Sequence, residues 1–133
     1  MKKKKLLDSF AILALLKKEN NYHLVHKLLK EAREEKRVLI MNQINAGEVY
    51  YQVLKRNLTD DFNKFWETFL MLPIEFIAND FDLVIESAKI KSQHSISYAD
   101  CFAAATAIKE NASIVTGDPE FKKLEKEVEI LWI

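Results

Sequence analysis

The stretch Ser97–Pro119, SYADCFAAATAIKENASIVTGDP, contains the pattern that decides the fold of this chain. Its first part, Ser97–Glu110, is rich in alanine and predicts a helix, because alanine has the highest helix propensity. Ser113–Val115 then forms a short run suited to a buried strand, and Asp118-Pro119 follows as the start of a short helix. A helix, a buried strand and another helix in succession indicate an α/β protein.

The same alternation extends along the rest of the chain. The strand candidates are Lys4–Leu7, Val38–Met41, Ile74–Ile77, Ser113–Val115 and Val128–Trp132. Apolar residues at helical spacing predict helices over Ser9–Lys18, Tyr22–Lys36, Thr59–Leu72, Asp80–Gln93 and Ser97–Glu110, with a turn at Asn20-Asn21. A further helix follows Asn42–Asn45, with inward residues Val49, Val53 and Leu54. Unbroken apolar strands are typical of a parallel sheet covered on both faces, so we expect a three-layer α/β/α sandwich with about five mainly parallel strands.

The composition agrees with a single domain of this class over residues 1–133. Hydrophobic residues make up 49% of the 133 residues, which is enough for one well-filled core. The chain has only two glycines and two prolines, fewer than the turns of an all-β sandwich or barrel require. The 20 basic and 20 acidic residues balance, so binding of nucleic acid would depend on local basic patches. The single cysteine, Cys101, excludes an intramolecular disulfide and a Cys-based zinc site and fits a reducing cytosol.

The amino-terminal segment resembles a signal peptide in part. Lys2–Lys5 is followed by Leu6-Leu7 and by the apolar run Phe10–Leu16. Asp8 interrupts the apolar stretch, Lys17-Lys18 follow it without a small-residue cleavage site, and the run is too short to cross a bilayer. We therefore expect a cytoplasmic protein that does not enter a membrane. The lysines would serve solubility or protect a sheet edge.

Four acidic residues fall where strands of the predicted sheet reach its carboxyl edge. Asp8 follows the first strand, and Glu48 lies about one turn into the helix after the second strand. Asp100 lies in the first turn of the Ala-rich helix, and Asp118 follows the fourth strand. Ligands of open α/β sheets gather outside the carboxyl ends of the strands, so these residues form the candidate site.

Each of these acids also has a structural interpretation as part of a helix start. Asp8 and Asp118 are placed to cap the helices that follow them, the second with a proline at the first helical position. The spacing of a capping box occurs twice, in Asn45/Glu48 and in Ser97/Asp100. An acid in a first turn also complements the helix dipole, so both interpretations stay open at this point.

Convergence of the four acids would favour a bound metal ion. Like charges repel and raise each other's pKa, and a cation among them removes that repulsion. Carboxylate oxygens without Cys or His suit Mg²⁺ or Mn²⁺, which activate water and stabilise the charge that develops on a phosphodiester. The residues alone thus point to metal-dependent phosphoryl chemistry.

At these residues the sequence resembles the PIN-domain family, and within it the VapC-type toxins of bacterial and archaeal toxin–antitoxin pairs. Four segments carry the resemblance: Leu6–Leu15, Asn45–Val49, Ile96–Ala107 and Val115–Phe121. The last two are the most specific, with a Ser-x-x-Asp that opens an Ala-rich helix and a Thr-x-Asp-x-x-Phe after a strand. Cys101 departs from the family, which most often has a small residue such as alanine there.

The resemblance implies a Mg²⁺- or Mn²⁺-dependent endoribonuclease that acts as the toxin of a VapBC-type pair and hydrolyses RNA phosphodiesters with an activated water. The implied catalytic and metal-holding residues are Asp8, Glu48, Asp100 and Asp118. Ser9 and Thr116 would orient the carboxylates or the water by hydrogen bonds. The implied partners are RNA, a cognate antitoxin whose tail covers the acidic cleft, and a second copy of the chain in a homodimer.

Contacts with RNA need positive groups near the site, because phosphate contacts dominate affinity. The candidates are Lys55, Arg56, Lys89, Lys91, Lys122 and Lys123, and each of them also fits an ordinary charged surface. A stripe of bulky aromatic residues predicts core packing, with an interface groove as the alternative where it is exposed: Phe62, Phe65, Trp66 and Phe69.

Two other functions compete with the nuclease. The first is a PIN-like module that binds RNA or a protein without cutting, although the acidic cluster of such a module is normally incomplete. The second is a phosphate-transferring α/β domain. A receiver domain needs an acidic pair after its first strand and a lysine late in the sheet. A haloacid-dehalogenase-like phosphatase needs Asp-x-Asp, where this chain has Asp8-Ser9-Phe10.

Overall fold

Five parallel strands form the centre of the computed structural model, which describes residues 3–19 and 21–133. The strands are β1 (Lys4–Leu7), β2 (Leu39–Asn42), β3 (Ile74–Ile77), β4 (Ala112–Thr116) and β5 (Ile130–Trp132). The helices are α1 (Ser9–Lys17), α2 (Tyr22–Glu34), α3 (Gln43–Lys55), α4 (Phe62–Leu70), α5 (Phe81–Gln93) and α6 (Tyr98–Lys109), and a 3₁₀ helix covers Pro119–Leu124.

The strand order β3-β2-β1-β4-β5 places β1 in the middle of the sheet. The chain builds β2 and β3 on one side of β1 and then crosses to the other side for β4 and β5. This reversal opens a crevice at the carboxyl ends of β1 and β4, which is where open α/β sheets bind ligands. Leu7 pairs in register with Val115, so the segments that follow the two strands begin side by side.

Alternate residues of each strand face opposite sides of the sheet. One core contains strand residues Leu7, Met41 and Val115 together with α1, α2, α3 and α4. The other contains strand residues Leu6, Ile40 and Ile114 together with α5, α6 and the 3₁₀ helix. The predicted three-layer α/β/α sandwich is therefore confirmed. The two covered faces explain the unbroken apolar stretches Leu39–Met41 of β2 and Ile114–Val115 of β4, whereas β1 and β3 also contain charged residues: Lys4, Lys5 and Glu75.

The Ala-rich α6 is packed on more than one side, against the sheet, α3 and α5. Every residue from Asp100 to Ala107 is buried, which small side chains make possible. The helix therefore carries an acidic residue of its first turn into the interior. Among the helices of residues 3–19 and 21–133, none combines the length and the apolar character needed to cross a membrane.

The start of α3 differs from the prediction. The helix begins at Gln43, because the side chain of Asn42 accepts a hydrogen bond from the N–H of Ile44 at 2.7 Å and so caps it. Asn45 therefore lies inside the helix and is buried. The prediction that Leu54 faces inward is wrong: it is 51% exposed, since the inward face of α3 is formed by the row that contains Val49 and Val53.

Three other boundaries also differ for physical reasons. α4 begins at Phe62 rather than Thr59, because the side chain of Asp61 caps it by accepting from the N–H of Lys64. Val38 is exposed and precedes β2, whose pairing with β3 starts one residue later. Val128 is buried but lies before β5, since its N–H bonds within the turn after the 3₁₀ helix.

Two predictions concern the amino-terminal third. The proposed protection of a sheet edge by Lys2–Lys5 is wrong, because β1 is the central strand and Lys4 pairs with Ala112. Lys2 itself lies outside the described residues. The predicted turn at Asn20-Asn21 is described only at Asn21, which has a left-handed φ of 57° that suits a turn, and Asn20 lies outside the described residues.

The aromatic stripe of α4 packs into the core, as predicted. Phe69 is buried, and its ring centroid lies 5.1 Å from that of Trp66 and 5.5 Å from that of Phe76. Tyr50 of α3 covers the outer part of the stripe edge-on, with its centroid 4.7 Å from that of Phe62. Aromatic pairs at these separations stabilise beyond their buried area, so this cluster holds α4 against α3 and β3.

Replacing Phe69 with alanine tests this arrangement. We expect Phe69→Ala to lower the free energy of unfolding by about 3–5 kcal/mol, because it removes a buried ring and leaves a cavity. Phe81→Ala is the matched control, since Phe81 is 75% exposed. Urea unfolding followed by circular dichroism measures both. Similar small losses in the two variants would contradict the assignment of α4 to the core.

Candidate active site

Asp8 lies at the end of β1 in the crevice and is only 1% exposed. Its Oδ1 accepts a hydrogen bond from the N–H of Ala11 at 3.0 Å, so it caps α1 as predicted. Its Oδ2 accepts from the hydroxyl of Thr116 at 2.5 Å, and the Oγ1 of Thr116 accepts from the N–H of Asp118 at 3.0 Å. The ends of β1 and β4 are thus connected through this carboxylate and hydroxyl.

Asp100 enters the same region from α6. Its N–H donates to the Oγ of Ser97 at 3.2 Å, which confirms Ser97 as the cap of this helix. Asp100 is 7% exposed, because the helix that carries it is itself buried. The capping interpretation and the site interpretation are therefore compatible here, as they are for Asp8.

Glu48 reaches the region from the second turn of α3. Its Oε1 accepts a hydrogen bond from the hydroxyl of Ser9 at 2.5 Å, which connects α3 to the start of α1. The predicted capping box of Asn45 with Glu48 is wrong, because Asn42 caps this helix. Glu48 is therefore not needed for the helix start, and its side chain lines an open polar cleft together with Asp100 and Asp118.

The structure brings the four predicted acids close enough to interact electrostatically. Burial raises the pKa of Asp8 to about 8, and the charges of Asp100 and Asp118 add to the rise, although hydrogen bonds from Thr116 and Ala11 oppose it. Burial also raises the pKa of Asp100 to about 7, with further contributions from the negative charges of Asp118 and Glu48. Convergence at the crevice between β1 and β4 is thus a property of this fold.

The chemistry of the carboxylates at the crevice suits a divalent cation, although their positions do not form a ready set of ligands. Within residues 3–19 and 21–133, no three His, Cys, Asp or Glu side chains are already arranged as ligands around one point. Both oxygens of Asp8 accept hydrogen bonds from the protein, and Glu48 accepts one from Ser9. Carboxylate oxygens are nevertheless the ligands that Mg²⁺ and Mn²⁺ prefer, and a cation would offset the repulsion. The donor set suits a hydrated ion that keeps several waters, as Mg²⁺ commonly does.

A fifth carboxylate, Glu120, also lines the cleft and was missed in the sequence analysis. Its charge contributes to the raised pKa of Asp100. Its N–H donates to Oδ1 of Asp118 at 3.0 Å, so Asp118 caps the 3₁₀ helix as predicted and holds Glu120 at its start. The sequence signal was the short spacing in Asp118-Pro119-Glu120, which places a second acid in the first turn of that helix.

The predicted basic residues are distributed unevenly around the cleft. Lys91 lines it, and its Nζ donates to the carbonyl oxygen of Ile96 at 2.6 Å. Lys123 donates to the carbonyl oxygen of Ser95 at 2.8 Å, and Ser95 also lines the cleft. The other predicted basic residues are not among its lining residues: Lys55, Arg56, Lys89 and Lys122.

Gly117 permits a close approach between α1 and the turn that carries Thr116 and Asp118. A Cβ at this position would overlap with Cε1 of Phe10 and would lie 3.2 Å from the carbonyl oxygen of Ile133. Because of this overlap, the ring or the turn would have to move.

Alanine substitutions at the two glycines should therefore have opposite effects. We expect Gly117→Ala to lower the free energy of unfolding by about 1–3 kcal/mol through overpacking. Gly47 lies within α3, and a Cβ there meets nothing within 4 Å, so Gly47→Ala should raise stability by about 0.5–1 kcal/mol. Phe10→Leu in the Gly117→Ala background should recover part of the loss. Chemical denaturation checks all four proteins, and equal effects of the two alanine substitutions would contradict the packing account.

The raised pKa values predict that metal-free protein becomes less stable as the pH rises. Asp8 and Asp100 hold protons in the folded state above the pH at which they lose them in the unfolded chain. Stability therefore falls as the pH rises from about 4, where the unfolded chain ionises, to about 7 to 8, where the folded acids ionise. The melting temperature without divalent cations should fall between about pH 5 and about pH 8 and then level off. Asp8→Asn should flatten this dependence. Asp61→Asn, which alters an exposed cap of the same geometry on α4, should leave it unchanged. A wild-type melting temperature that rises over this range would contradict the account.

Comparison with known proteins places this architecture in a family. The PIN domain family model matches residues 5–127. No curated protein sequence matches the chain.

Solved structures with the same fold include VapBC complexes. The DNA-bound VapBC from Salmonella typhimurium is similar at a TM-score of 0.77, with 17% identity and 98% of each chain covered. VapBC2 from Rickettsia felis, bound to a promoter DNA fragment, has a TM-score of 0.72 and 20% identity over 97% of this chain and 98% of that one. PAE2754 from Pyrobaculum aerophilum has a TM-score of 0.70 and 18% identity over 99% and 92%. These identities establish the fold alone, whereas the family model covers most of the sequence, so the chain belongs to the PIN domain family.

Proposed function

We propose that this protein is a metal-dependent endoribonuclease that acts as the VapC-type toxin of a toxin–antitoxin pair. The observation that carries the proposal is the convergence of Asp8, Glu48, Asp100 and Asp118 at the crevice between β1 and β4. Membership of the PIN domain family supports nuclease chemistry at this crevice. The VapBC complexes among the structural neighbours support the toxin assignment.

The four acids would hold Mg²⁺ or Mn²⁺. When bound, such an ion supplies positive charge to the scissile phosphate and lowers the pKa of a coordinated water. The chain's own contribution is to fix the carboxylates: the hydroxyl of Thr116 holds Oδ2 of Asp8, and the hydroxyl of Ser9 holds Oε1 of Glu48. These two hydroxyls have the orienting role that partners of metal ligands commonly have.

Protons compete with the cation at this site. The pKa of Asp8 is about 8 and that of Asp100 about 7, so both carboxyls bind protons near neutral pH when no cation is present. Ligands must be deprotonated to bind a metal, and the apparent affinity for Mg²⁺ or Mn²⁺ should therefore fall as the pH falls. Cleavage by such a site is favoured on the alkaline side of neutrality.

The RNA substrate would meet both signs of charge at the cleft. The carboxylates repel phosphate until a cation offsets them, and Lys91 supplies a positive group among the lining residues. Its Nζ is held at the carbonyl of Ile96, which keeps the amine beside the acids. Lys91 is therefore the basic residue that we assign to a phosphate of the RNA, in agreement with the dominance of phosphate contacts in affinity.

We place the contacts with protein partners on exposed apolar surface of α3 and α4. Ile44, Tyr51 and Leu54 lie on one outward face of α3, where they are 42%, 49% and 51% exposed. Leu70 and Met71 at the end of α4 are also exposed, the latter by 76%. Apolar surface of this kind marks interfaces. We assign it to the cognate antitoxin and to a second copy of the chain in a homodimer.

The alternative function is a PIN-like module that binds RNA or a protein without cutting it. The four acids are all present, and two of them are buried with raised pKa values, which is a costly arrangement for a module that has no use for a cation. This favours the active nuclease. The phosphate-transferring alternative loses its support because the chain belongs to the PIN domain family.

Thermal melts with Mn²⁺ and RNA cleavage assays test the proposal together. Ligand binding to the folded state stabilises by about 2.7 kcal/mol at a hundredfold excess over Kd. We expect Mn²⁺ to raise the melting temperature of the wild type and to support cleavage of total cellular RNA. Asp100→Asn should lose both effects, because the amide keeps the shape of the side chain and removes its charge.

Asp82→Asn is the control, since Asp82 is an exposed acid in the first turn of α5 and lies outside the cleft. It should behave as the wild type does. Metal binding without cleavage in the wild type would favour the non-catalytic module. Full cleavage by Asp100→Asn would remove this residue from the catalytic role.

A further inference from the structure

Asn45 is a buried polar residue that does not cap the helix in which it lies. It lies in α3 one turn before Glu48 and is 0% exposed. Asn42 caps the helix, so Asn45 has no part in satisfying its first turn. A buried amide is costly unless it is hydrogen-bonded, and an apolar side chain would be the ordinary choice at this position.

The amide of Asn45 makes one hydrogen bond, and that bond reaches α6. Its Nδ2 donates to the carbonyl oxygen of Ala99 at 3.1 Å. Its Oδ1 is buried and has no hydrogen-bond partner among the described groups. The acceptor side of the amide therefore contributes nothing to stability, and the donor side accounts for the presence of an asparagine.

The carbonyl of Ala99 belongs to the peptide group that joins Ala99 to Asp100. The N–H of the same peptide group donates to Oγ of Ser97 at 3.2 Å. The peptide group is thus held at its oxygen by Asn45 and at its nitrogen by Ser97. The Cα of Asp100 is attached to this peptide group. Both hydrogen bonds therefore restrict the position from which the side chain of Asp100 extends into the cleft.

The hydrogen bond also opposes the electrostatic repulsion in the cleft. Glu48 is on α3 and Asp100 is on α6, and the negative charge of Glu48 is among those that act on Asp100. Repulsion between the two carboxylates pushes the two helices apart. The bond from Asn45 to Ala99 connects these helices one turn from Glu48 and next to Asp100.

We propose that Asn45 is a positioning residue that fixes the carboxylate of Asp100 relative to that of Glu48 by holding the Ala99–Asp100 peptide group. It does not touch the substrate or the metal and acts through Asp100. This inference rests on the proposed function, since its consequence is a site preorganised for a divalent cation.

Asn45→Leu tests the proposal, because leucine has nearly the shape of asparagine and lacks the donor. Electron paramagnetic resonance of free Mn²⁺ measures metal binding directly, and circular dichroism melts without metal measure stability. We expect Asn45→Leu to keep or raise the metal-free melting temperature, since it also removes the unpaired acceptor. It should raise the Mn²⁺ concentration at half-saturation about tenfold or more, the size of effect known for residues that orient ligands.

Asn79→Ala is the matched control, and Asn45→Ala is the second variant should Asn45→Leu not fold. Asn79 forms a reciprocal amide pair with Asn42 at 2.7 and 3.1 Å and does not bond to the peptide group before Asp100. The Asn79→Ala substitution should lower the metal-free melting temperature and leave Mn²⁺ binding unchanged.

The possible outcomes separate the two proposals. Wild-type Mn²⁺ binding with weakened binding in the Asn45 variant and unchanged binding in Asn79→Ala supports the positioning role. Unchanged binding in the Asn45 variant, or equal weakening in the Asn79 control, overturns it while leaving the metal site in place. Absence of Mn²⁺ binding in the wild type overturns the proposed function itself.

Discussion

Burial of two carboxylates beside other acids at the carboxyl edge of the sheet is the constraint around which this site is arranged. Asp8 is buried at the end of the central strand and feels the charges of Asp100 and Asp118. Burial and like charge both disfavour the ionised state. The raised pKa values of Asp8 and Asp100 let the metal-free protein reduce this cost by keeping protons on these two carboxyls. A divalent cation would remove the cost, so the proposed metal binding would be linked to folding and protonation through the same few groups.

The fold maintains this arrangement with short connections between elements. The hydroxyl of Thr116 joins the ends of β1 and β4 through Asp8, and the hydroxyl of Ser9 joins the start of α1 to Glu48. The small side chains of α6 let it pack deeply enough to bury Asp100. Gly117 allows α1 to lie directly on the turn before Asp118. Each of these features brings charge into the crevice that the strand order opens.

The parts of the structure that could be predicted are those set by local pattern. Short, mainly apolar segments predicted all five strands, and the alanines of residues 103–105 predicted the buried helix, because both patterns depend on which faces are covered. The positions of Asp8 and Asp118 followed from strand ends, and that of Asp100 followed from the start of the Ala-rich helix. The first residues of α3 and α4 were predicted less accurately. For α3, Asn42 and Asn45 are both acceptable caps in sequence, and the backbone decides between them.

The missed features depend on contacts between distant segments. Glu120 lines the same cleft as Asp100 and acts on its pKa. The spacing in Asp118-Pro119-Glu120 signals a second acid at the start of the 3₁₀ helix, but it does not report the approach of that helix to α6. The bond from Asn45 to Ala99 joins residues 54 positions apart in sequence. Lys55 and Arg56 looked equivalent to Lys91 as basic candidates, yet α3 carries them away from the cleft that Lys91 lines. Charge patterns show which groups are available, and the packing of helices decides which of them meet.

The most direct test of the central claim is a carbon-detected NMR titration of the Asp carboxyl groups in metal-free protein, repeated with Mg²⁺. The account predicts that Asp8 and Asp100 titrate near pH 8 and pH 7, well above the ordinary pKa of an aspartate, and that Mg²⁺ lowers both midpoints. Midpoints near 4 for both residues in the metal-free protein would contradict it, because the acids would then be ordinary helix caps that neither burial nor mutual repulsion disturbs.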